Sequence, residues 1–245
     1  MTQKRDPRQV IGAETMSSAM PLAVEYHQWF FELVEPHLGN RILDIGSDLG
    51  NHLQFFEGRN LTCLDLSPEC VVRLEKEFGG PNRDFVAGDI CDDDVAESLS
   101  SKGIDTVTCL NVLEHIEDDR RALSNIYRVL KATGGTFIVI VPAHEFLYGE
   151  MDSLAGHYRR LSKGQLSRLL RECGFEVKVA RYVNAIGAFG WFINGRLMKP
   201  KSLSNPSINT QLVLFSRIFV PMIKRLENKL SPPFGQSLMV VAKAV

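Results

Sequence analysis

The chain has 245 residues, 28 basic against 29 acidic, with a net charge of −1, so it is long enough for one α/β unit with a full core or for a core with an appended cap. The balanced charge supplies no global field for nucleic acid, which is not expected as a partner. Five cysteines (Cys63, Cys70, Cys91, Cys109, Cys173) form no C-x-x-C pair, which argues for reduced thiols and against a disulfide framework or a structural metal.

The opening MTQKRDPRQVIG lacks the apolar run of a secretion signal, and no apolar stretch approaches the ~18 residues of a membrane span. A cytoplasmic protein is expected. From Met20 to Leu38, Leu22, Tyr26, Trp29, Phe30, Leu33 and Val34 recur at helical intervals, predicting a helix docked on the core within an N-terminal cap over 1–40. Over 41–183, β-branched runs alternate with amphipathic segments: RILDI, a helix after Gly50, NLTCLD, a helix opened by Ser67 and Pro68, RDFVAGD, a helix from Asp92 to Leu99, and DTVTCLN. A helix from Glu117 to Leu130 follows, with Ala122, Leu123, Ile126, Val129 and Leu130 on one face, and then the strand TFIVIV. Such alternation predicts a doubly wound, mostly parallel sheet with ligand sites at the carboxyl ends of its strands.

Beyond a helix from Ser162 to Cys173, capped by Gly174, lie the strand FEVKVARYV and, at 236–245, a final strand in SLMVVAKAV. Between them, 184–235 is rich in Phe, Trp, Leu and Ile and includes a predicted helix from Asn209 to Leu230 with Pro221 inside it. A helix apolar over most of its circumference must be buried by something. The insertion is a lid, a homodimer surface or, given Lys199, Lys201, Arg217, Lys224, Arg225 and Lys229, a contact with an anionic membrane.

The stretch ILDIGSDLGNH, from Ile42, reads as a strand breaking into a glycine turn. Such a turn presents free backbone N–H groups to a ligand. Its glycines, Gly46 and Gly50, do not follow the G-x-G-x-x-G dinucleotide pattern, and Asp48 would repel a pyrophosphate. Asp44, Asp65 and Asp89 close three successive strands, and a carboxylate at the end of the second can accept from both hydroxyls of a ribose.

These motifs, LDIGSDLG, CLDLS, AGDI, DTVTCLNVLEHIEDD and VLKATGGTFIVIVP, carry a resemblance. Across Arg41 to Phe175 the chain resembles the class I S-adenosylmethionine-dependent methyltransferases, in particular the bacterial type 11/12-like group. The resemblance implies a seven-stranded Rossmann-like methyltransferase fold whose last strand is antiparallel. It further implies that Asp44 and the loop of Gly46, Ser47, Asp48 and Gly50 line the methionine and ribose side of S-adenosylmethionine. Asp65 would hold the ribose, Leu66 and Ile90 would flank the adenine, Asp89 would accept from its amino group, and Asn111 with Val112 would face the sulfonium. Asp48 stands where the family usually has glycine, and its carboxylate is expected to contact the cofactor's amino group directly or through water.

Acceptor residues are expected in PAHEFLYGEMDSLAGHYRRLS, from Pro142. His144 or His157 is the candidate base, Asp152 would orient His157, and Tyr148, Tyr158, Arg159 and Arg160 would complete a pocket. His115 is expected at a helix start by the mouth of the cofactor site, and Trp191 in a cap over the acceptor. The expected activity is methyl transfer to oxygen or nitrogen of a small or amphipathic molecule. Cyclase or lyase chemistry on the same cofactor, and a cofactor-binding scaffold without turnover, are the alternatives.

Overall fold

A computed structural model describes residues 19–198, 201–203 and 206–245. Residues 1–18 of the expected cap and Lys199 lie outside them. In chain order the elements are α1 (Val24–Val34), β1 (Arg41–Ile45), β2 (Asn60–Asp65), α2 (Pro68–Phe78), β3 (Arg83–Ala87), α3 (Asp93–Ser100), β4 (Thr106–Leu110) and α4 (Asp119–Lys131). They continue with β5 (Thr136–Pro142), α5 (Glu150–Ala155), α6 (Lys163–Glu172), β6 (Phe175–Val183), α7 (Ala185–Phe192), α8 (Pro206–Leu214), α9 (Val220–Glu227) and β7 (Ser237–Ala244).

Local chemistry sets the helix starts. Ser67 accepts from the Cys70 N–H ahead of Pro68, Asp118 accepts from Arg121, and Ser162 closes a reciprocal cap with Gln165, each satisfying N–H groups that have no partner within the helix. All of β4 and β5 is buried, as strands covered on both faces must be. Alternate residues go to opposite sides. Phe137, Val139 and Val141 join α3, α4 and α6 in one core, while Ile138 and Ile140 pack with Trp29 and Phe30 of α1 and Val220 and Ile223 of α9.

The seven strands run in the order β3-β2-β1-β4-β5-β7-β6. β7 is antiparallel to both β5 and β6, and the other pairs are parallel. The strand order reverses between β1 and β4. There the helices leave in opposite directions and a crevice opens at the carboxyl ends.

Three helices depart from the sequence reading. After Gly50 there is only a 3₁₀ turn, Leu53–Phe56, because the stretch before β2 is short and is closed by Gly58 at φ +77°. The N-terminal helix is flanked by 3₁₀ turns that contain Pro21 and Pro36. The single helix expected over 209–230 is α8, a π-helical segment Phe215–Phe219, and α9. Pro221 in the first turn of α9 has no N–H to donate backwards, so the wider turn falls just ahead of it. Among the described residues no helix is long and apolar enough to cross a membrane.

Candidate active site

A cavity of about 1050 Å³ opens at the strand ends and runs beneath α7 to α9. At one end stands the β1 turn. Gly46 has φ +74°, and a Cβ there would lie 2.4 Å from Cγ2 of Val112, so only glycine lets the turn pass this close to the end of β4. Asp48 takes a left-handed φ of 42°, which aspartate tolerates better than most residues. Its N–H donates to Oδ2 of Asp65 (2.9 Å), whose Oδ1 accepts from the Ser67 N–H (2.9 Å). The turn thereby holds the Asp65 carboxylate at the cavity wall.

Both carboxylate oxygens of Asp48 are buried without a hydrogen-bond partner. Burial, and then the Asp65 charge, push this carboxyl up from its ordinary value. Around it, Gly46, Ser47, Asp65, Leu66, Asp89, Ile90, Asn111 and Val112 all line the cavity, as expected. Asp89 is fixed by the Cys91 N–H (2.8 Å), and Asn111 has φ 56°.

Two residues expected on the lining are behind it. Asp44 is 3% exposed and accepts from Thr108 Oγ1 (2.7 Å) and Ser47 Oγ (2.8 Å). Burial pushes it up to about 6, and it braces Ser47 from below. Gly50 faces Phe78 and Leu74, on the far side of the turn.

At the other end of the cavity Asp152, fully buried, gathers four donors: His157 Nδ1 (2.8 Å), Arg160 Nε (2.7 Å), Trp191 Nε1 (3.0 Å) and the Gly149 N–H (3.0 Å). Burial pushes Asp152 up, but the His157 hydrogen bond and the Arg160 charge hold it below the ordinary value. Arg160 also donates to the Ala143 carbonyl (2.9 Å) and lies 5.0 Å from the Trp191 ring centre. With Nδ1 given to a carboxylate, the proton of His157 sits on Nδ1 and Nε2 is free to accept. Nε2 is 4.0 Å from Oε1 of Glu114.

His157, His115, Arg160 and Trp191 line the cavity as expected. Glu114 was missed, although it sits in the LEH segment that singled out His115. It is 1% exposed, its two oxygens have no hydrogen-bond partner, and burial pushes its carboxyl up to about 7. The His115 ring lies 4.8 Å from that of His157, edge on, and burial pushes its imidazole down to about 3. Glu114, His115 and His157 bring ligand atoms within 4.8 Å of one another, a grouping suited to a cation where no metal was expected. Tyr26, His27 and His52 also line the cavity. The apolar spacing of α1 marked Tyr26 as helix core only, and His27 and His52 were not singled out.

Four other expected acceptor residues do not line it. His144, at φ 62°, stacks on Tyr182 with ring centres 4.4 Å apart, because the bridge between Ala143 and Leu161 turns it toward β6. Tyr148 donates to the His157 carbonyl (2.8 Å), so it supports the loop. Tyr158 is exposed, and Arg159 reaches away to the Glu117 carbonyl (2.7 Å) and the Asp119 carboxylate (2.5 Å). For His144, Tyr148 and Arg159 the tethering roles win because each side chain finds a nearer partner than the cavity.

The end of the cavity lined by Asp48, Asp65 and Asp89 thus shares one wall with a histidine–carboxylate pair. A family model described as a methyltransferase domain matches residues 22–178. The chain belongs to this methyltransferase family. Among similar proteins, the ubiquinone biosynthesis O-methyltransferase of Xanthomonas euvesicatoria is 28% identical over 174 residues, 64% of this chain and 70% of the relative. Its counterpart from Pseudomonas aeruginosa is 26% identical over 57% of this chain and 66% of its own length. A solved S-adenosylmethionine-dependent methyltransferase from Archaeoglobus fulgidus shares the fold, with a TM-score of 0.58 at 19% identity over 90% of this chain and 94% of that one.

The methyltransferase uses S-adenosylmethionine, and the cavity fits it. The unpartnered Asp48 carboxylate suits a cationic group and would oppose a pyrophosphate, and among the described residues no lysine lines the wall.

Proposed function

We propose that this methyltransferase methylates a weakly acidic hydroxyl, phenolic or enolic, on an amphipathic small molecule. The observation that carries the reading is His157, tied through Nδ1 to Asp152 and presenting Nε2 to the same cavity that Asp65 and Asp89 line. The cofactor supplies an electrophilic methyl group on a sulfonium. Asp65 would hold its ribose hydroxyls, Asp89 the adenine amino group between Leu66 and Ile90, and Asp48 its ammonium, with Asn111 and Val112 at the sulfonium.

Facing them, Nε2 of His157 takes the hydroxyl proton as the acceptor oxygen gains the methyl group. Asp152 stabilises the imidazolium that results, and Arg160 keeps Asp152 ionised. An imidazole is basic enough for a phenol or enol and far too weak for an unactivated alcohol. Trp191, Phe215 and Phe219 line the cavity beneath the insertion, which suits an apolar substituent on the acceptor. Two relatives named as O-methyltransferases of ubiquinone biosynthesis agree with a hydroxyl acceptor.

The test is a screen of phenols bearing apolar substituents with the purified protein, following S-adenosylhomocysteine. His157→Gln should lower kcat by about 10²–10⁴-fold while cofactor affinity stays unchanged. Methylthioadenosine as the product, or full activity in His157→Gln, would sink the proposal.

A further inference from the structure

The insertion between β6 and β7 has an outer face that nothing among the described residues covers. Leu214, Ile218, Met222, Leu226 and Leu230 recur at every fourth position through α8, the π-helical segment, α9 and its end, and each is 49–69% exposed. Beside this row Arg217, Arg225 and Lys229 are exposed at the same spacing. The opposite side is docked. Ser216 donates to Glu25 (2.9 Å), Lys224 pairs with Glu32 (2.9 Å), and Val220 and Ile223 are buried against α1 and the sheet. The apolar row is therefore not a misplaced core face.

Charge indicates what meets it. Across 184–235 there are seven Lys or Arg residues and a single acid, Glu227. Glu227 is buried and already accepts from the Asn184 and Ala185 N–H groups. A two-fold contact with a second copy would set this cationic row against itself. An anionic lipid surface answers both features, since the acyl boundary takes the apolar row and headgroup phosphates take the cations. We propose that the outer face of α8 and α9 docks in the plane of an anionic lipid bilayer. The helices are too short to span, so the protein lies on the surface. The proposal stands on this face alone and is independent of the acceptor chemistry.

The experiment is co-sedimentation of the full chain with phosphatidylcholine vesicles, with and without phosphatidylglycerol. Binding is expected only with the anionic lipid, and it should weaken with added salt. Arg225→Glu with Lys229→Glu, and separately Met222→Asp with Leu226→Asp, should each lower partitioning by about tenfold or more. These residues do not line the cavity, so cofactor affinity, measured by calorimetry, should stay unchanged and report intact folding. Failure to bind anionic vesicles, or binding by both double variants as strong as that of the unmodified chain, would overturn the proposal. So would a dimer in solution, seen by light scattering, that Met222→Asp with Leu226→Asp splits into monomers.

Discussion

Asp152 shows how one buried side chain holds a site together. It joins the base candidate His157, the buried Arg160 and the insertion residue Trp191. Asp152→Ala leaves the guanidinium of Arg160 buried without its carboxylate, so a loss of about 3–5 kcal/mol is expected, read from urea denaturation. Asp48 poses the opposite case, a buried carboxylate with nothing to bind in the fold itself. Asp48→Asn should weaken S-adenosylmethionine about tenfold, or ~1.4 kcal/mol, in calorimetry, and unchanged affinity would remove its assigned role. Because burial raises this carboxyl, an arriving cation favours its ionised form. Binding in acid, where part of this carboxyl is protonated, should therefore release a proton, detected as an enthalpy that varies with the buffer's own ionisation heat. Asp65, Asp89 and Asn111 were legible in the sequence because a parallel sheet delivers strand ends to one crevice. His157 and His144 were not separable, because the left-handed backbone at His144 and the Ala143–Leu161 bridge depend on partners distant in sequence.

The strands and most helix starts were readable from apolar spacing and from the Ser67, Asp118 and Ser162 caps. The breaks in the insertion were not, since a π-helical turn keeps nearly the same apolar spacing as an α-helix and shows only in the hydrogen bonds. The β1 turn is the element whose geometry has least freedom. Gly46→Ala adds both a left-handed alanine and a 2.4 Å contact with Val112, so cofactor affinity should fall by more than tenfold, about 1–3 kcal/mol. Pairing it with Val112→Ala should recover only part of that loss. At the insertion, Glu227 caps the start of α7 from the end of α9 through the Asn184 and Ala185 N–H groups (2.8 and 2.9 Å). Glu227→Ala should cost about 1–3 kcal/mol for donors left buried and speed proteolysis within 184–235 before the sheet is cut.

The molecule as a whole buries two sets of groups with opposing proton linkage. His52 and His115 are pushed down to about 3 by burial, so the unfolded chain takes up protons below its ordinary value of 6.5 that the folded chain refuses. Acid is destabilising through them. Glu114 at about 7 and Asp44 at about 6 work the other way, because the folded chain binds their protons before the unfolded chain does. Between about pH 6.5 and 4.5 these carboxyls offset only part of the histidine effect, because burial also lowers His27, His37 and His144, and below that window the unfolded carboxyls protonate too. Thermal midpoints should therefore decline as the pH falls through that window and more steeply beneath it. In Glu114→Gln, which lacks one of the opposing carboxyls, the decline should be steeper. His52, Glu114 and His115 did not announce their burial in the sequence, where each lies in a polar or mixed run, whereas Asp44 lies within the apolar strand RILDI. The base of the insertion has a consequence of another kind. Gln236 donates its N–H to the Asn184 carbonyl (3.0 Å) and its side-chain oxygen accepts from Asn184 Nδ2 (2.8 Å), so some fifty residues leave and re-enter one hairpin through a single clasped doorway. That doorway keeps β6 and β7 in register whatever the length of chain threaded through it, so a replacement insertion has to reproduce only the Val220 and Ile223 face that packs on the sheet and the Trp191 contact with Asp152.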